Sequence, residues 1–428
     1  MKSNNLILIT NGYPYNNGES FLKPELNFLA KEFDRVFILS ISNKHINKRE
    51  FPSNVIVVKS SASLAITQKI NAIISVIVNI GYYQKLIKEE LLNAKKYMVI
   101  GSGEKPSAFK ISTVILHDLF IALKKKKTVL NIMHEYGLDS SNTLLYSYWL
   151  NSSATALSLL KRKNKDVKVV CRGHGSDIYF EMSKNGFYPF RLLNLNTLNR
   201  LFMVSNIGRS YNIDMFGNKL NNIETSYLGT FPSYSKMNQS LETKYDMIIV
   251  SVSSVIPLKR VTKIPILLSK IENLRIKWMH FGDGELFNNL KATSEELLDG
   301  NKNIEYQLKG NVNNKDLMEF YLNNKIDLFL SLSSSEGIPV SMMEAMSFGI
   351  PVLSTDVGGI SELVNSENGF LVDSSVNYRE IIGVIESYMK MNSSQKQLIR
   401  SNAFKHWNKY FNAEKNFPIF AKQLKQLL

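Results

Sequence analysis

Two glutamates eight residues apart, Glu336 and Glu344, stand in the most chemically suggestive stretch of the sequence, Ser331-Leu-Ser-Ser-Ser-Glu-Gly-Ile-Pro-Val-Ser-Met-Met-Glu-Ala-Met-Ser-Phe-Gly-Ile-Pro-Val352. An apolar run ending at Leu330 reads as a strand and the Ser/Gly segment as a loop. Pro339 suits the first turn of a helix and Gly349 closes it. The loop and the helix start then offer backbone N–H groups at the positive end of a helix, which is an anion site. Carboxylates beside an anion site are wrong for phosphate alone. They suit a ligand that also carries vicinal hydroxyls, each charge-assisted hydrogen bond being worth roughly 1.5–3 kcal/mol. A sugar nucleotide has such diols on its ribose and its hexose, joined through a diphosphate. An ordinary capped helix with acidic residues is the other reading of the same segment.

Two further groups lie in the first half. Val169-Val-Cys-Arg172-Gly-His174-Gly-Ser-Asp177-Ile-Tyr179 reads as a strand that ends on Arg and His, where a doubly wound sheet presents ligand residues. Near the start, Thr10-Asn-Gly-Tyr-Pro-Tyr-Asn-Asn-Gly18-Glu19-Ser-Phe21 follows the first strand, and a Gly-Glu turn there lets backbone approach a ligand closely. Tyr148-Trp149-Leu150 is read as part of a helix spanning 144–160. A structural histidine and a plain turn with a helix cap are the competing readings.

The Glu336 segment resembles the signature of the retaining glycosyltransferases of family 4, which have the GT-B fold. Their pattern of Glu, seven residues and Glu, then Gly-x-Pro-Val and a Gly-Gly turn, appears here as Glu336, Glu344, Gly349-Ile-Pro-Val352 and Gly358-Gly359, continued by Glu362. Phe281-Gly-Asp-Gly-Glu285 and Leu308-Lys309-Gly310 match the family's strand-end turn and nucleobase loop. The match covers nearly all of 247–373. It implies that Glu336 holds the donor sugar, Glu344 the ribose and Lys259 the diphosphate, and that Gly337, Ile338, Pro339, Val340, Lys309 and Gly310 complete the donor site. Ser254 stands where many members have an arginine, so Arg260 is the expected second cation. The His174 block is similar to the Arg-x-His-x-x-Asp-x-Tyr element of polysaccharide-assembly members. By that resemblance His174 contacts the donor hexose, Asp177 orients the acceptor or positions Arg172, Gly18 sits near the donor, and Glu19 and Arg172 face the acceptor.

Elements alternate strand and helix along the whole chain, which argues α/β architecture with parallel sheets. The expected arrangement is GT-B: two Rossmann-like doubly wound domains facing a central cleft. The first, 1–235, binds acceptor; the second, 236–410, binds the nucleotide sugar; a helix over 411–428 crosses back to the first. With 428 residues, 44% apolar and 21% charged, the chain is neither disordered nor fibrous. A single cysteine, Cys171, excludes an internal disulfide framework and fits a reducing compartment.

Charge is one-sided. Residues 1–240 carry 31 Lys+Arg against 16 Asp+Glu, whereas 241–428 carry 21 of each. A basic first domain attracts polyanions, and the expected ones are an anionic membrane surface and a lipid-linked saccharide acceptor, as the resemblance also implies. No signal peptide is read at the start, and no segment is long and apolar enough to span a bilayer. Residues 70–84, followed by lysines, read either as a buried helix of the first domain or as a segment lying on a membrane, and Lys124–Lys127 form a second basic patch. The expected location is cytoplasmic, peripheral on the inner membrane face. Nucleic acid is not expected, since no basic–aromatic recognition element occurs.

No Asp-x-Asp and no His-Glu-x-x-His occur, so no metal is expected. The nucleotide-diphosphate sugar is a co-substrate, not a cofactor, with a UDP-hexose expected over GDP-mannose. A GT-B epimerase or phosphorylase and a non-catalytic polyanion-binding protein are the alternatives.

Overall fold

The computed structural model describes residues 3–15, 19, 22–40, 51–58, 80–99, 106–217, 220–232 and 244–428. The chain divides into two compact units, Met1–Ser226 with Phe417–Leu428, and Tyr227–Asn416. The sequence-based boundary between 235 and 236 falls outside the described residues, as do Gly18 and most of 70–84.

The first unit runs β1 (Asn5–Thr10), α1 (Leu22–Glu32), β2 (Arg35–Ser40), β3 (Val55–Val58), α2 (Ile80–Tyr97), α3 (Ala108–Glu135), β4 (Thr143–Ser147), α4 (Ser152–Lys163), β5 (Lys168–Gly173), α5 (Gly175–Ile178), α6 (Arg191–Thr197), β6 (Arg200–Met203), α7 (Asn206–Phe216) and β7 (Ile223–Thr225). All pairings in its seven-stranded sheet are parallel, in the order β3-β2-β1-β4-β5-β6-β7. Covered on both faces, β1 is a continuous apolar run, Leu6-Ile-Leu-Ile9, with no exposed position.

The second unit runs β8 (Met247–Val252), α8 (Lys263–Leu268), β9 (Ile276–Phe281), α9 (Phe287–Leu298), β10 (Ile304–Leu308), α10 (Asn314–Asn323), β11 (Leu328–Ser331), α11 (Val340–Ser347), β12 (Val352–Thr355), α12 (Ile360–Leu363), β13 (Gly369–Val372), α13 (Tyr378–Lys390) and α14 (Ser393–Tyr410). Its six-stranded parallel sheet has the order β10-β9-β8-β11-β12-β13. Helix α13 is amphipathic, burying Ile381, Ile385 and Tyr388 at i, i+4 and i+7. The last helix, α15 (Ala413–Lys425), leads into the segment that belongs to the first unit, where Phe420, Ala421 and Leu424 join a core with Leu6, Leu8 and Tyr146.

One element differs from the sequence reading. Residues 144–160 are not a single helix: Thr143–Ser147 form β4, and α4 begins only at Ser152. The five strand residues are all buried between β1 and β5. A short apolar run buried on both faces has no alternation, so periodicity cannot separate it from a buried helix. Tyr148 and Trp149 therefore stand in the loop at the tip of β4.

Candidate functional site

In each sheet the strand order reverses at one place, between β1 and β4 and between β8 and β11. A doubly wound sheet binds ligands at the carboxyl ends of the strands flanking such a reversal. These two places hold most of the residues singled out above.

In the second unit, β8 leads to the loop before a 3-10 turn, Pro257–Lys259, and β11 leads to the Ser333–Pro339 loop. The two are joined: the Ser334 N–H donates to the Leu258 carbonyl at 2.8 Å. The Lys259 ammonium meets Glu336 Oε1 at 2.5 Å, and the Ser333 hydroxyl donates to the same oxygen at 2.7 Å. These two side chains remain 21% and 10% exposed, so the pair is accessible to a ligand. The glycine turn at 358–359 fixes this loop. Gly358 has φ +56°, and a Cβ there would overlap the Glu336 carbonyl oxygen. The Gly359 N–H donates to the Gly337 carbonyl at 2.9 Å. The second glycine of the signature thus permits a backbone-on-backbone contact that no side chain allows.

Helix α11 opens after Pro339, and Gly349, at φ +66°, closes it. Glu344 lies on it, half-buried, accepting from the Asn314 amide at 2.6 Å. Burial pushes its carboxyl up to about 7, partly offset by the Asn314 hydrogen bond. Gly310, at φ +63°, accepts from the Gly282 N–H at 2.8 Å, and the Lys309 side chain is exposed. Ser254 is exposed at the tip of β8. Arg260 does not face the Glu336 pair: in a left-handed conformation (φ 49°), it donates to the Ser374 carbonyl at 2.7 Å. Lys259 is thus the cation that meets Glu336.

The first unit gathers Glu19, Trp149, His174 and Asp177 at the tips of β1, β4 and β5. Glu19 is buried, and its carboxylate accepts from the N–H groups of Asn11 (3.1 Å), Gly12 (2.6 Å) and Tyr13 (2.5 Å) and from the Trp149 indole. Glu19 was expected to face an acceptor; it is instead the clamp that shapes the β1 loop. Asp177 accepts from the His174 N–H at 2.5 Å and the Leu150 N–H at 2.7 Å. Burial pushes its carboxyl up to about 7 against those hydrogen bonds and nearby Arg191. It joins the tips of β4 and β5 and does not pair with Arg172. Arg172 is also corrected: it is fully buried, 3.5 Å from Glu25 and with its guanidinium 3.9 Å from the Phe420 ring centroid. Nothing of it reaches solvent, so it supports the site from beneath. The His174 ring packs against Tyr148 and Trp149, with centroids at 4.9 and 4.5 Å. Burial first, and then the Arg172 charge, hold it well below the usual imidazole range. The shift favours the neutral ring.

Sequence reasoning missed Ser333, Asn314 and the place of Trp149. The Ser-x-x-Glu spacing was visible for Ser333. Trp149 followed from β4, once that run was read as a strand. The four-lysine patch is also thinner than expected. Lys125 points inward, with its ammonium on the hydroxyls of Ser152 (2.6 Å) and Ser153 (2.9 Å).

Residues 234–405 match the family model for Glycosyl transferases group 1. An O-antigen biosynthesis glycosyltransferase of Escherichia coli, WbnH, is 40% identical over 94 residues, 22% of this chain. The aligned segment spans only about a quarter (24%) of that relative's length. Sucrose-phosphate synthase from Thermosynechococcus elongatus has the same fold, with TM-score 0.69 and 14% identity over 99% of both chains. Anabaena HepE in complex with UDP and glucose superposes with TM-score 0.62 and 14% identity, over 99% of this chain and 100% of that one. Two Rossmann-like parallel-sheet units of this kind are the GT-B fold, and residues 234–405 carry a Glycosyl transferases group 1 domain.

Proposed function

We propose that this chain is a retaining, metal-independent glycosyltransferase of surface polysaccharide assembly. It moves a hexosyl unit from a nucleotide-diphosphate sugar, a UDP-hexose in preference to GDP-mannose, to a lipid-linked saccharide. The observation that carries this reading is the accessible Lys259–Glu336 pair on a loop held by Gly358 and Gly359 at the strand-order reversal. An ammonium and a carboxylate side by side match a donor that presents a diphosphate next to sugar hydroxyls. The likeness to HepE bound to UDP and glucose supports the same donor class.

In this mechanism Glu336 accepts hydrogen bonds from hexose hydroxyls and Glu344 from the ribose diol. Lys259 and the N–H groups of Gly337 and Ile338 stabilise the charge that builds on the leaving diphosphate. Both glutamates are engaged by diols, so neither is placed as a nucleophile. The departing diphosphate takes the acceptor's proton on the face it leaves, which keeps the anomeric configuration. The protein contributes orientation and charge stabilisation. His174, held neutral, hydrogen-bonds the hexose without competing for the diphosphate.

The acceptor and location are part of the proposal. Helix α3 carries an outward stripe, Phe109 (79% exposed), Leu116 and Phe120, with the Lys124 ammonium 5.6 Å from the Phe120 ring centroid. These positions share one face at helical spacing. Aromatic and aliphatic side chains beside lysines suit the headgroup region of an anionic leaflet. No helix among the described residues is long and apolar enough to cross a membrane.

A thermal-shift screen over nucleotide sugars tests the donor, followed by product analysis with and without acceptor. The expected result is a stabilising shift with a nucleotide-diphosphate hexose and a new glycoside only when acceptor is present. An altered sugar nucleotide formed from donor alone makes the protein an epimerase, and no shift with any nucleotide sugar overturns the reading.

A further inference from the structure

An open pocket away from the strand tips lies at the opposite end of the first sheet. It is a cavity of about 640 Å³ between the C-terminal turns of α3 and α4, beside the segments that lead into β4 and β5. Its floor is apolar: Leu138, Leu160 and Val167 are buried there, and Leu130, nearly half exposed, stands among its lining residues. Its walls bring two ammonium groups together, Lys126 from α3 and Lys163 from α4. Burial, and then the charge of Lys163, hold Lys126 below the usual lysine range. Among the described residues neither ammonium takes part in an ion pair. Asp139, also on the wall, accepts from the Ser141 N–H at 2.9 Å. Two like charges over an apolar floor repel each other, and an anion between them removes that repulsion.

We propose that this cavity seats the phosphate headgroup of an anionic phospholipid, with Lys126 and Lys163 on the phosphate and Leu130, Leu160 and Val167 against the first carbons of its chains. The volume falls within the 300–1,000 Å³ typical of small-ligand sites. An anion joined to an apolar body is the chemistry that matches both wall and floor. Lys126 and Leu130 belong to the same helix as the Phe109–Phe120 stripe. The proposal rests on the membrane part of the reading above and adds a specific lipid to it. A headgroup clasped in a pocket, unlike a diffuse basic surface, is selective and saturable.

The test is a titration of the full chain with dihexanoyl-phosphatidylglycerol below its micelle concentration, followed by NMR or calorimetry. Parallel arms use dihexanoyl-phosphatidylcholine and inorganic phosphate. The expected result is saturable binding of the anionic lipid, at least fivefold tighter than the zwitterionic lipid and at least tenfold tighter than phosphate. The Lys126→Gln/Lys163→Gln variant weakens it at least tenfold. A Lys390→Gln/Lys405→Gln variant, with the same net charge but altered in the second unit, leaves it unchanged. Leu130→Asp provides an independent loss, and the melting temperature of each variant verifies folding. Equal affinity for the two lipids, equal affinity for phosphate, or full binding by the Lys126/Lys163 variant overturns the proposal. The titration needs no turnover, so failure of the glycosyl-transfer reading would leave it untouched. If vesicle flotation depends on Phe109 and Phe120 while the soluble lipid does not bind, the stripe survives and the pocket does not.

Discussion

Both units place carboxylates at the tips of their central strands, and they use them in opposite ways. In the first unit Glu19 and Asp177 are buried, and their oxygens accept from backbone N–H groups of the β1, β4 and β5 loops. In the second unit Glu336 has a lysine and a serine as partners and remains open to a ligand, and Glu344 has one amide. A carboxylate saturated by the backbone builds a site; one left with unfilled lone pairs can bind. Residue type and position at a strand tip do not separate the two. Partners do.

The sharpest way to break this contrast is to neutralise one acid in each unit. Glu336→Gln should lower the turnover of glycosyl transfer at least a hundredfold, on the order of 3 kcal/mol in the transition state, with an unchanged melting temperature. Turnover near the wild-type rate would remove the assigned role. Glu19→Ala should do the reverse. It leaves three N–H groups and an indole without their acceptor, which costs about 3 kcal/mol of stability, read as a lower denaturation midpoint. A stable Glu19→Ala protein with lost acceptor affinity would make Glu19 a ligand residue after all.

Gly358→Ala should fall next, at about 2 kcal/mol, because the added methyl meets the Glu336 carbonyl and φ is positive. Donor affinity should fall with stability, since the displaced loop carries Glu336. A fall in stability alone would uncouple the turn from the site.

The smallest effect sharpens the comparison through pH. Glu344 keeps its proton up to about 7 in the folded protein, whereas an unfolded glutamate releases it near 4.3. The protonated form therefore favours folding below the unfolded value, and that contribution is lost as pH rises through about 7. Ribose hydroxyls donate to the ionised form, so nucleotide affinity should rise about tenfold between pH 6 and 8. Glu344→Gln should flatten the profile, and an identical slope in that variant would assign the titration to another group. Asp177 has the same sign of stability change over the same window.

The strand–helix order of the second unit was legible, whereas Ser333, Asn314 and the direction of Arg260 were not. Its six strands alternate with helices, and Gly349 and Gly358 mark turns with positive φ. The paired glutamates were legible because spacing on a loop and the following helix is a local property. In the first unit the long helix over 144–160 was wrong because β4 is buried on both faces. The burial of Glu19 and Arg172 was not legible for another reason. Glu19 takes three partners from the nearby Asn11, Gly12 and Tyr13 and one from Trp149, 130 residues on, whereas Arg172 packs on Phe420 in the final helix. A local pattern names an acid or an arginine at a strand tip but carries no information about what has already saturated it.

The return of Phe417–Leu428 to the first unit has a practical consequence. That unit is discontinuous, so no single cut in the chain releases it whole. A fragment ending at 226 would lack Phe420 and Leu424, leave Arg172 without its aromatic cover, and present a raw apolar surface to other molecules. Chimaeras that exchange specificity halves with a relative must therefore graft two pieces, the long leading stretch and the short tail.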